Sequence, residues 1–352
     1  MIKSSKNVPS IAAIADDYGI HSINIFGDSI SHGAGAPIIY EESYAAIVRN
    51  SINHLYSGVN YGYASMMSTL WPGGKLRCSE IHEIQLSQEA GGYSLGHDDK
   101  HWSRDVHGKH IGGCAMYSDV VGANLMVRLA KEFNYMCIYY LSGSDKGTFD
   151  IYDDNGIMLS VDAYGNTPSE KRTAFIDISG RGVASPFFIK NTTADADKNI
   201  YITGIAYYND PESFTLNNYS LGGRCFHYQE PHVLKEACQT STLIFGLGYN
   251  DATFAPNQTE LFAQKADIVI NEVNKNHTSL YVLDYVWNYP EDNFFKKELR
   301  RIVSQTNGRL IDMTADMNGR KDLFVDDAHP TVDGHRMIAE KLLKAMNIPV
   351  FM

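Results

Sequence analysis

Two textures alternate along the chain. In the first, short apolar runs stop at a polar loop and give way to stretches with apolar residues three and four apart. That is the pattern of buried strands followed by amphipathic helices. Ile23-Asn24-Ile25-Phe26 runs into Gly27-Asp28-Ser29-Ile30-Ser31-His32-Gly33, after residues 1–22, which read as a short leader. A helix is predicted from about Glu42 to Tyr56, with Tyr44, Ile47, Val48, Ile52 and Leu55 on one face, and Val59–Ser65 reads as a second strand. The same texture returns near Val233. There Thr242–Gly246 is a strand ending at Gly248-Tyr249-Asn250-Asp251, and a helix over about 259–274 carries Phe262, Ala266, Val269 and Val273 on one face. Leu280–Val286 is the next strand, and Asp292 is placed to cap a helix bearing Phe295, Leu299 and Ile302. Arg309–Met313 is the last strand, and a helix from about Thr331 to Met346 closes the chain. Strand–helix alternation of this kind predicts an α/β fold, a doubly wound parallel sheet with its site at the carboxyl ends of the strands.

The second texture lies between. Residues 87–118 are rich in Gly, His, Asp and Ser without helical or alternating period, and short Tyr- and Ile-rich strands follow. Asn134–Leu141, Phe149–Tyr152, Ile157–Val161, Ala174–Ile178 and Asn199–Tyr208 are the clearest of these. Asp153-Asp154-Asn155-Gly156 between two such runs is a hairpin signal. The expectation is an all-β sandwich or jelly roll, over 86–232, inserted into an α/β domain made of 1–85 and 233–352. The tyrosines Tyr135, Tyr139, Tyr140, Tyr201, Tyr207 and Tyr208 fit strand packing better than a sugar platform.

Composition narrows the partners. The 352 residues are 44% hydrophobic and 20% charged, which suits a globular protein with an adequate core, and the formal charge is −11. Such acidity argues against nucleic acid or an anionic membrane surface as the main partner. No apolar run reaches bilayer-spanning length, and the basic N-terminus lacks a following secretory apolar core, so a soluble chain is expected, with its compartment and oligomeric state left open. Five scattered cysteines without a Cys-x-x-Cys pair indicate neither a zinc ribbon nor a disulfide framework. His97-Asp98-Asp99-Lys100-His101, with Asp105, His107 and His110 beyond, has metal-ligand residue types. The glycines around it (Gly91, Gly92, Gly96 and Gly108) speak for a solvated polar loop, and no metal is expected.

Three pieces carry the candidate chemistry: Gly27-Asp28-Ser29, Gly248-Tyr249-Asn250-Asp251 and Asp326-Asp327-Ala328-His329-Pro330. Each alone is ordinary turn chemistry. Together, each beyond a predicted strand, they supply a serine nucleophile, a histidine base with a carboxylate three residues away, and an amide donor for an oxyanion. In this reading Asp326 accepts the Nδ1 proton of His329 and leaves Nε2 free for Ser29 Oγ. The Ser29 N–H and the Asn250 amide are the oxyanion donors. Asp28 and Asp251 are read as loop braces and His32 as a pocket-wall residue.

These three motifs, in this order, resemble the first, third and fifth sequence blocks of the SGNH (GDSL-type) hydrolases, over about 1–80 and 236–352. The resemblance implies a flavodoxin-like sheet, no cofactor and hydrolysis of esters, often acetyl groups on carbohydrates. It implies Ser29 as nucleophile, His329 as base, Asp326 as its partner and Asn250 as an oxyanion donor. The family's second block supplies an oxyanion glycine after the second strand. Here Asn60-Tyr61-Gly62-Tyr63-Ala64-Ser65 puts a serine in that place, so Ser65, with Gly62 as the alternative, is the expected donor. The function expected is a serine esterase removing O-acyl groups, O-acetyl in the first instance, from an acylated polysaccharide or glycoconjugate. A polysaccharide O-acyltransferase sharing the acyl-enzyme and a non-catalytic glycan-binding protein are the alternatives.

Overall fold

The computed structural model describes residues 22–55, 60–65, 83–84, 93–97, 102–105, 108–129, 132–166, 170–182, 186–195, 197–210 and 214–351. The leader and the histidine-rich stretch at 98–101 and 106–107 lie outside them. One long sheet organises the chain. Its main strands are β1 (Ser22–Gly27), β2 (Tyr61–Ser65), β3 (Tyr135–Ser142), β4 (Glu170–Asp177), β5 (Ile200–Tyr208), β6 (Thr215–Asn218), β7 (Thr242–Gly246), β8 (Ser279–Asp284) and β9 (Arg309–Asp312), and the short strands Ala115–Ser118 and Ser103–Asp105 branch from β5. The main strands lie in the order β4-β3-β5-β2-β6-β1-β7-β8-β9. Pairing is parallel from β2 through β9 and antiparallel among β2, β5, β3 and β4. Taken alone, β6-β1-β7-β8-β9 has the 2-1-3-4-5 order of a flavodoxin-like sheet, whose switch point falls between β1 and β7.

Side-chain alternation along the strands feeds two helical layers. From β1, Ile23 and Ile25 pack with Tyr44, Val48 and Ile52 of α2 (Tyr44–Leu55) and with the last helix, Val332–Ala345, through Ile338 and Leu342. Phe26 faces the opposite layer, packing with Val233 and Leu234 of Pro231–Ala237, Phe262 and Val269 of Thr259–Asn276, and Leu299 and Ile302 of Phe294–Thr306. Each of these side chains is buried, and each such burial stabilises the fold by about 1.5–3 kcal/mol. The helix at Phe294 starts one residue later than Asp292 would set it. Asn293 is the cap, its Oδ1 accepting from the Phe295 and Lys296 N–H groups at 2.9 and 3.4 Å.

The β-rich middle of the chain is a sandwich. A second, antiparallel sheet runs Gly156–Asp162, Thr148–Asp153, Phe187–Asn191, Asn124–Leu129, Tyr93–His97, Glu83–Ile84. Its Leu125, Val127, Phe149, Ile151, Phe187 and Ile189 pack against Met136, Ile138, Ile200 and Ile202 of the long sheet. The hairpin at 153–156 forms as the sequence indicates, with Gly156 at φ 124°, a conformation that favours glycine. The long sheet is thus shared between the sandwich and the parallel layer.

One expectation needs correction here. The strand after the first helix, β2, does not pair with β1. That place is taken by β6, far along the chain, which pairs with β1 from Ser22↔Thr215 to Ile25↔Asn218. The second part of the parallel layer therefore starts with Thr215, ahead of the boundary set at 233. The physical reason is the length and polarity of β6: Thr215-Leu216-Asn217-Asn218 has too short an apolar pattern to announce a strand. Its asparagines are satisfied sideways instead, Asn217 Nδ2 donating to Asn24 Oδ1 at 3.1 Å and Asn217 Oδ1 accepting from the Tyr63 N–H at 2.8 Å.

Candidate active site

The nucleophile loop is built by its neighbours. Beyond β1 the chain closes into α1 (Ser29–His32), with Asp28 as its extended N-cap and Gly33 in the left-handed conformation at its end. Asp28 Oδ1 accepts from the Ile30 N–H at 3.0 Å, and the Asp28 N–H donates to the Gly246 carbonyl of β7 at 3.2 Å. Gly27 must be glycine, because a Cβ there would lie 2.1 Å from Ser31 Oγ. Ser29 follows as the first helical residue, where its own N–H has no partner within the helix. Its hydroxyl and that free donor stand at the carboxyl end of the sheet, beside the switch point.

The candidate base, His329, arrives from the far end of the chain. His329 Nε2 lies 2.9 Å from Ser29 Oγ, and Nδ1 lies 2.7 Å from Asp326 Oδ2. Asp326 Oδ1 accepts from the Ala328 and His329 N–H groups at 2.8 and 2.7 Å, which sets the turn between the two side chains. A Val325 N–H to His329 carbonyl bond of 2.9 Å closes that turn at its base, and Asn288 Nδ2 ties the Asp327 carbonyl to the loop after β8 at 3.0 Å. Burial works against charge on Asp326. The hydrogen bonds from the His329 ring and the two N–H groups outweigh it and hold the carboxyl below the usual carboxylate range. An ionised acceptor fixed on Nδ1 selects the tautomer that leaves Nε2 as the base toward Ser29.

The oxyanion side differs from the sequence reading. Ser65 sits at the end of β2, opposite Gly204 of β5, and β6 separates that strand from β1. Gly62 lies within β2, close against β6. A Cβ there would lie 2.4 Å from the Leu216 carbonyl, so this glycine serves the close approach of β2 and β6. The residue beside the nucleophile is Gly222, where an added Cβ would stand 4.0 Å from Ser29 Cβ. Beyond β6 the chain follows β1, with Tyr219 N–H donating to the Ile25 carbonyl at 2.9 Å and Leu221 N–H to the Gly27 carbonyl at 3.1 Å. It then turns at Gly222-Gly223, with Gly223 at φ 75°. The signal in the sequence was this Gly-Gly pair, hidden behind a strand too short to read.

Asn250 and Asp251 hold that turn from the β7 side. Gly248-Tyr249-Asn250-Asp251 opens a short helix, Tyr249–Phe254. Buried Asn250 donates one Nδ2 hydrogen to the Arg224 carbonyl at 3.0 Å, which leaves its second hydrogen for another acceptor. Fully buried Asp251 accepts from the Phe226 N–H (2.8 Å), the His227 N–H (3.0 Å) and the His227 Nδ1 (2.7 Å). Both aspartates next to the motif residues are therefore braces, as read from the sequence. His32 is half-buried with its Nε2 enclosed, and burial pushes its ring down to about 4, which does not suit a base at neutral pH.

Cys225, His227 and Asp251 place a thiol, a ring nitrogen and a carboxylate within 4.8 Å of one another, the one such group among the described residues. The carboxylate is already matched by three donors, and burial pushes the Cys225 thiol up to about 12. A metal there would have to displace the hydrogen bonds that hold the turn, so the donor set does not fit a resident ion.

Asp28 carries a pH signature. Burial, supplemented by the Asp251 charge, raises its carboxyl from 3.8 to about 7, against the hydrogen bonds from backbone N–H groups. A group raised on folding stabilises the fold fully below its unfolded pKa, and that contribution is lost as pH rises through about 7. Asp28→Asn keeps the cap acceptor without the charge. It is expected to flatten the fall in stability between pH 5 and pH 8, by about 3 kcal/mol at most, since only the span from pH 5 to about 7 contributes. Urea midpoints of parent and variant across that range measure it, and parallel curves would contradict it.

No family model and no curated protein matches the sequence. Solved structures do. A peptidoglycan O-acetylesterase superposes with a TM-score of 0.65 at 12% identity, over 93% of this chain and 91% of that one. Lesser overlaps include a family two carbohydrate esterase from Clostridium thermocellum in complex with cellohexaose (TM-score 0.32, 12% identity, 66% of this chain and 94% of that one). An acetyl xylan esterase from the rumen bacterium Butyrivibrio proteoclasticus is another (TM-score 0.30, 8% identity, 64% and 89%). The protein shares with the first of these a layered α/β fold whose parallel sheet continues into a β-sandwich. Within that fold it is similar along nearly its whole length to the peptidoglycan O-acetylesterase. Among the described residues no helix is long and apolar enough to cross a membrane.

Proposed function

We propose that the protein is a serine esterase that removes O-acyl groups, in the first instance O-acetyl, from a polysaccharide or glycoconjugate. The observation that carries this is the continuous contact Asp326–His329–Ser29, at 2.7 and 2.9 Å, at the switch point of the sheet. In this reading Ser29 Oγ attacks the acyl carbonyl carbon while His329 Nε2 takes its proton. The carbonyl oxygen, now negative, is received by the Ser29 N–H, the Gly222 N–H and the second Asn250 Nδ2 hydrogen, with Gly222 replacing Ser65 and Gly62 in that role. The bond to the sugar oxygen then breaks, and that oxygen leaves with the proton from His329. Water repeats the attack on the acyl-enzyme, giving its proton to His329, and collapse returns Ser29 Oγ its proton and frees the acid. The substrate class follows by analogy from the name of the fold neighbour, a peptidoglycan O-acetylesterase.

The test is acetate release from a panel of O-acetylated glycans, peptidoglycan and xylan included, with and without an unacetylated acceptor glycan. The esterase reading expects stoichiometric free acetate on at least one member. Acetate found on the acceptor would move the reading to an O-acyltransferase, and binding without either product to a glycan-binding protein. Asn250→Ala is expected to lower kcat by about 10²–10³-fold, the usual cost of one oxyanion donor. Steady-state kinetics on p-nitrophenyl acetate, with KM compared, will show it.

A further inference from the structure

Arg224 occupies an unusual place. It sits one residue beyond the Gly222-Gly223 turn, and only 4% of it is exposed. Among the described residues it has no carboxylate within ion-pair distance. Its guanidinium is held by main-chain carbonyls instead. Nη1 donates to the Tyr219 carbonyl at 2.6 Å, and Nη2 donates to the Ile111 carbonyl at 2.9 Å. The guanidinium carbon lies 4.6 Å from the centroid of Phe26, two residues before Asp28 on β1. The Arg224 carbonyl accepts from Asn250 Nδ2, and its N–H donates to the Leu221 carbonyl at 3.2 Å. One residue therefore touches both ends of the turn, the strand before Ser29, the Asn250 amide and the loop at Ile111, which packs beside Phe26 and Tyr219.

A buried cation with no carboxylate in direct contact is costly even with the Asp28 charge favouring it from further off, and loop closure alone does not require one. Burial pushes the guanidinium down to about 10, so it stays charged at neutral pH. The fit around it is tight: at Gly113, φ 70°, an added Cβ would lie 2.5 Å from Nη2. We propose that Arg224 is the positioning residue of the oxyanion turn, a fork that fixes the Gly222 N–H against Ser29 and makes the loop at Ile111, which packs in the same core as Phe26 and Tyr219, part of the catalytic unit. This rests on the esterase reading. A donor that must meet the oxyanion within a few tenths of an ångström loses its effect when its turn drifts, and displacement by about 1 Å can cost 10²-fold in rate. Lysine keeps the charge but cannot reach the Tyr219 and Ile111 carbonyls in one rigid plane.

The experiment compares parent, Arg224→Lys, Arg224→Ala and Ser29→Ala on p-nitrophenyl acetate, a substrate without glycan contacts. Both arginine variants are expected to lose about 10–100-fold in kcat, with KM within about twofold of the parent. A boronic acid that forms a tetrahedral adduct on serine should lose affinity by the same factor as kcat/KM. Non-denaturing guanidinium should restore part of the rate to Arg224→Ala and none to Ser29→Ala. Unchanged kcat in folded variants overturns the proposal, as does a kcat loss with unchanged boronate affinity and no rescue. If Arg224→Ala does not fold, Arg224→Lys and its boronate affinity decide. A parent without turnover or boronate binding is a failure of the esterase reading itself, whereas turnover in the parent matched by both variants is a failure of this proposal alone.

Discussion

Ser29→Ala is expected to lower kcat on p-nitrophenyl acetate by about 10³–10⁶-fold while the fold and its urea midpoint stay near the parent's. The rate falls because the variant has no nucleophile to form an acyl-enzyme, and residual catalysis by the oxyanion donors and His329 sets the floor. The fold is spared because Ser29 Oγ contributes only its contact to His329, on a partly exposed imidazole. His329→Ala should fall to a similar level, and the double variant no further, since residues acting as one unit are not additive. Circular dichroism and steady-state kinetics on the three variants provide the measurement. A Ser29→Ala protein with more than a tenth of parental activity would remove Ser29 from the chemistry.

Asp251→Ala is expected to be the most damaging change that does not touch the reacting atoms. It strips the acceptor from two backbone N–H groups and one imidazole nitrogen, all within a fully enclosed carboxylate site. Each buried donor left without a partner costs about 1–3 kcal/mol, so a loss of about 3–5 kcal/mol of stability is expected. The segment it releases, Phe226-His227, follows directly on the Gly222–Arg224 turn, so kcat should fall as well. Asp251→Asn retains one acceptor oxygen and should stand between the parent and Asp251→Ala on both scales. Urea unfolding and kcat measured on the same preparations test this, and an unshifted midpoint for Asp251→Ala would contradict the bracing role.

The triad was legible because its chemistry is local. Asp326 and His329 are three residues apart, Ser29 follows directly on an apolar strand, and the strand–helix rhythm from 242 onward has a clear period. Gly222, the proposed oxyanion donor, was not legible, because its place depends on which strand lies beside β1. Sequence order suggested the strand at 61–65, the first after α2. The structure instead pairs β1 with Thr215–Asn218, brought back by the sandwich, with Asn217 bonded to Asn24 and Tyr63 and Asn218 to Ser31 and Ser220. Four residues with two amides carry almost no hydrophobic pattern, so the strand and the Gly222-Gly223 turn after it were both missed. Arg224 escaped for a related reason. A lone arginine in a loop reads as a solvated charge, and only the structure shows it enclosed between Phe26, Tyr219 and Ile111. Asp292 against Asn293 is a smaller case, in which two adjacent capping residues compete and the backbone decides.

The central claim, a covalent intermediate on Ser29, is open to one direct measurement. Parent protein mixed with p-nitrophenyl acetate, quenched in acid during the first turnovers and digested, should yield the peptide containing Ser29 heavier by one acetyl group. The same peptide from Ser29→Ala should carry none, and the label should decay in the parent at the rate of acetate release. Turnover with an unmodified Ser29 peptide at every quench time, or an acetyl group found elsewhere with Ser29→Ala still active, would contradict the account.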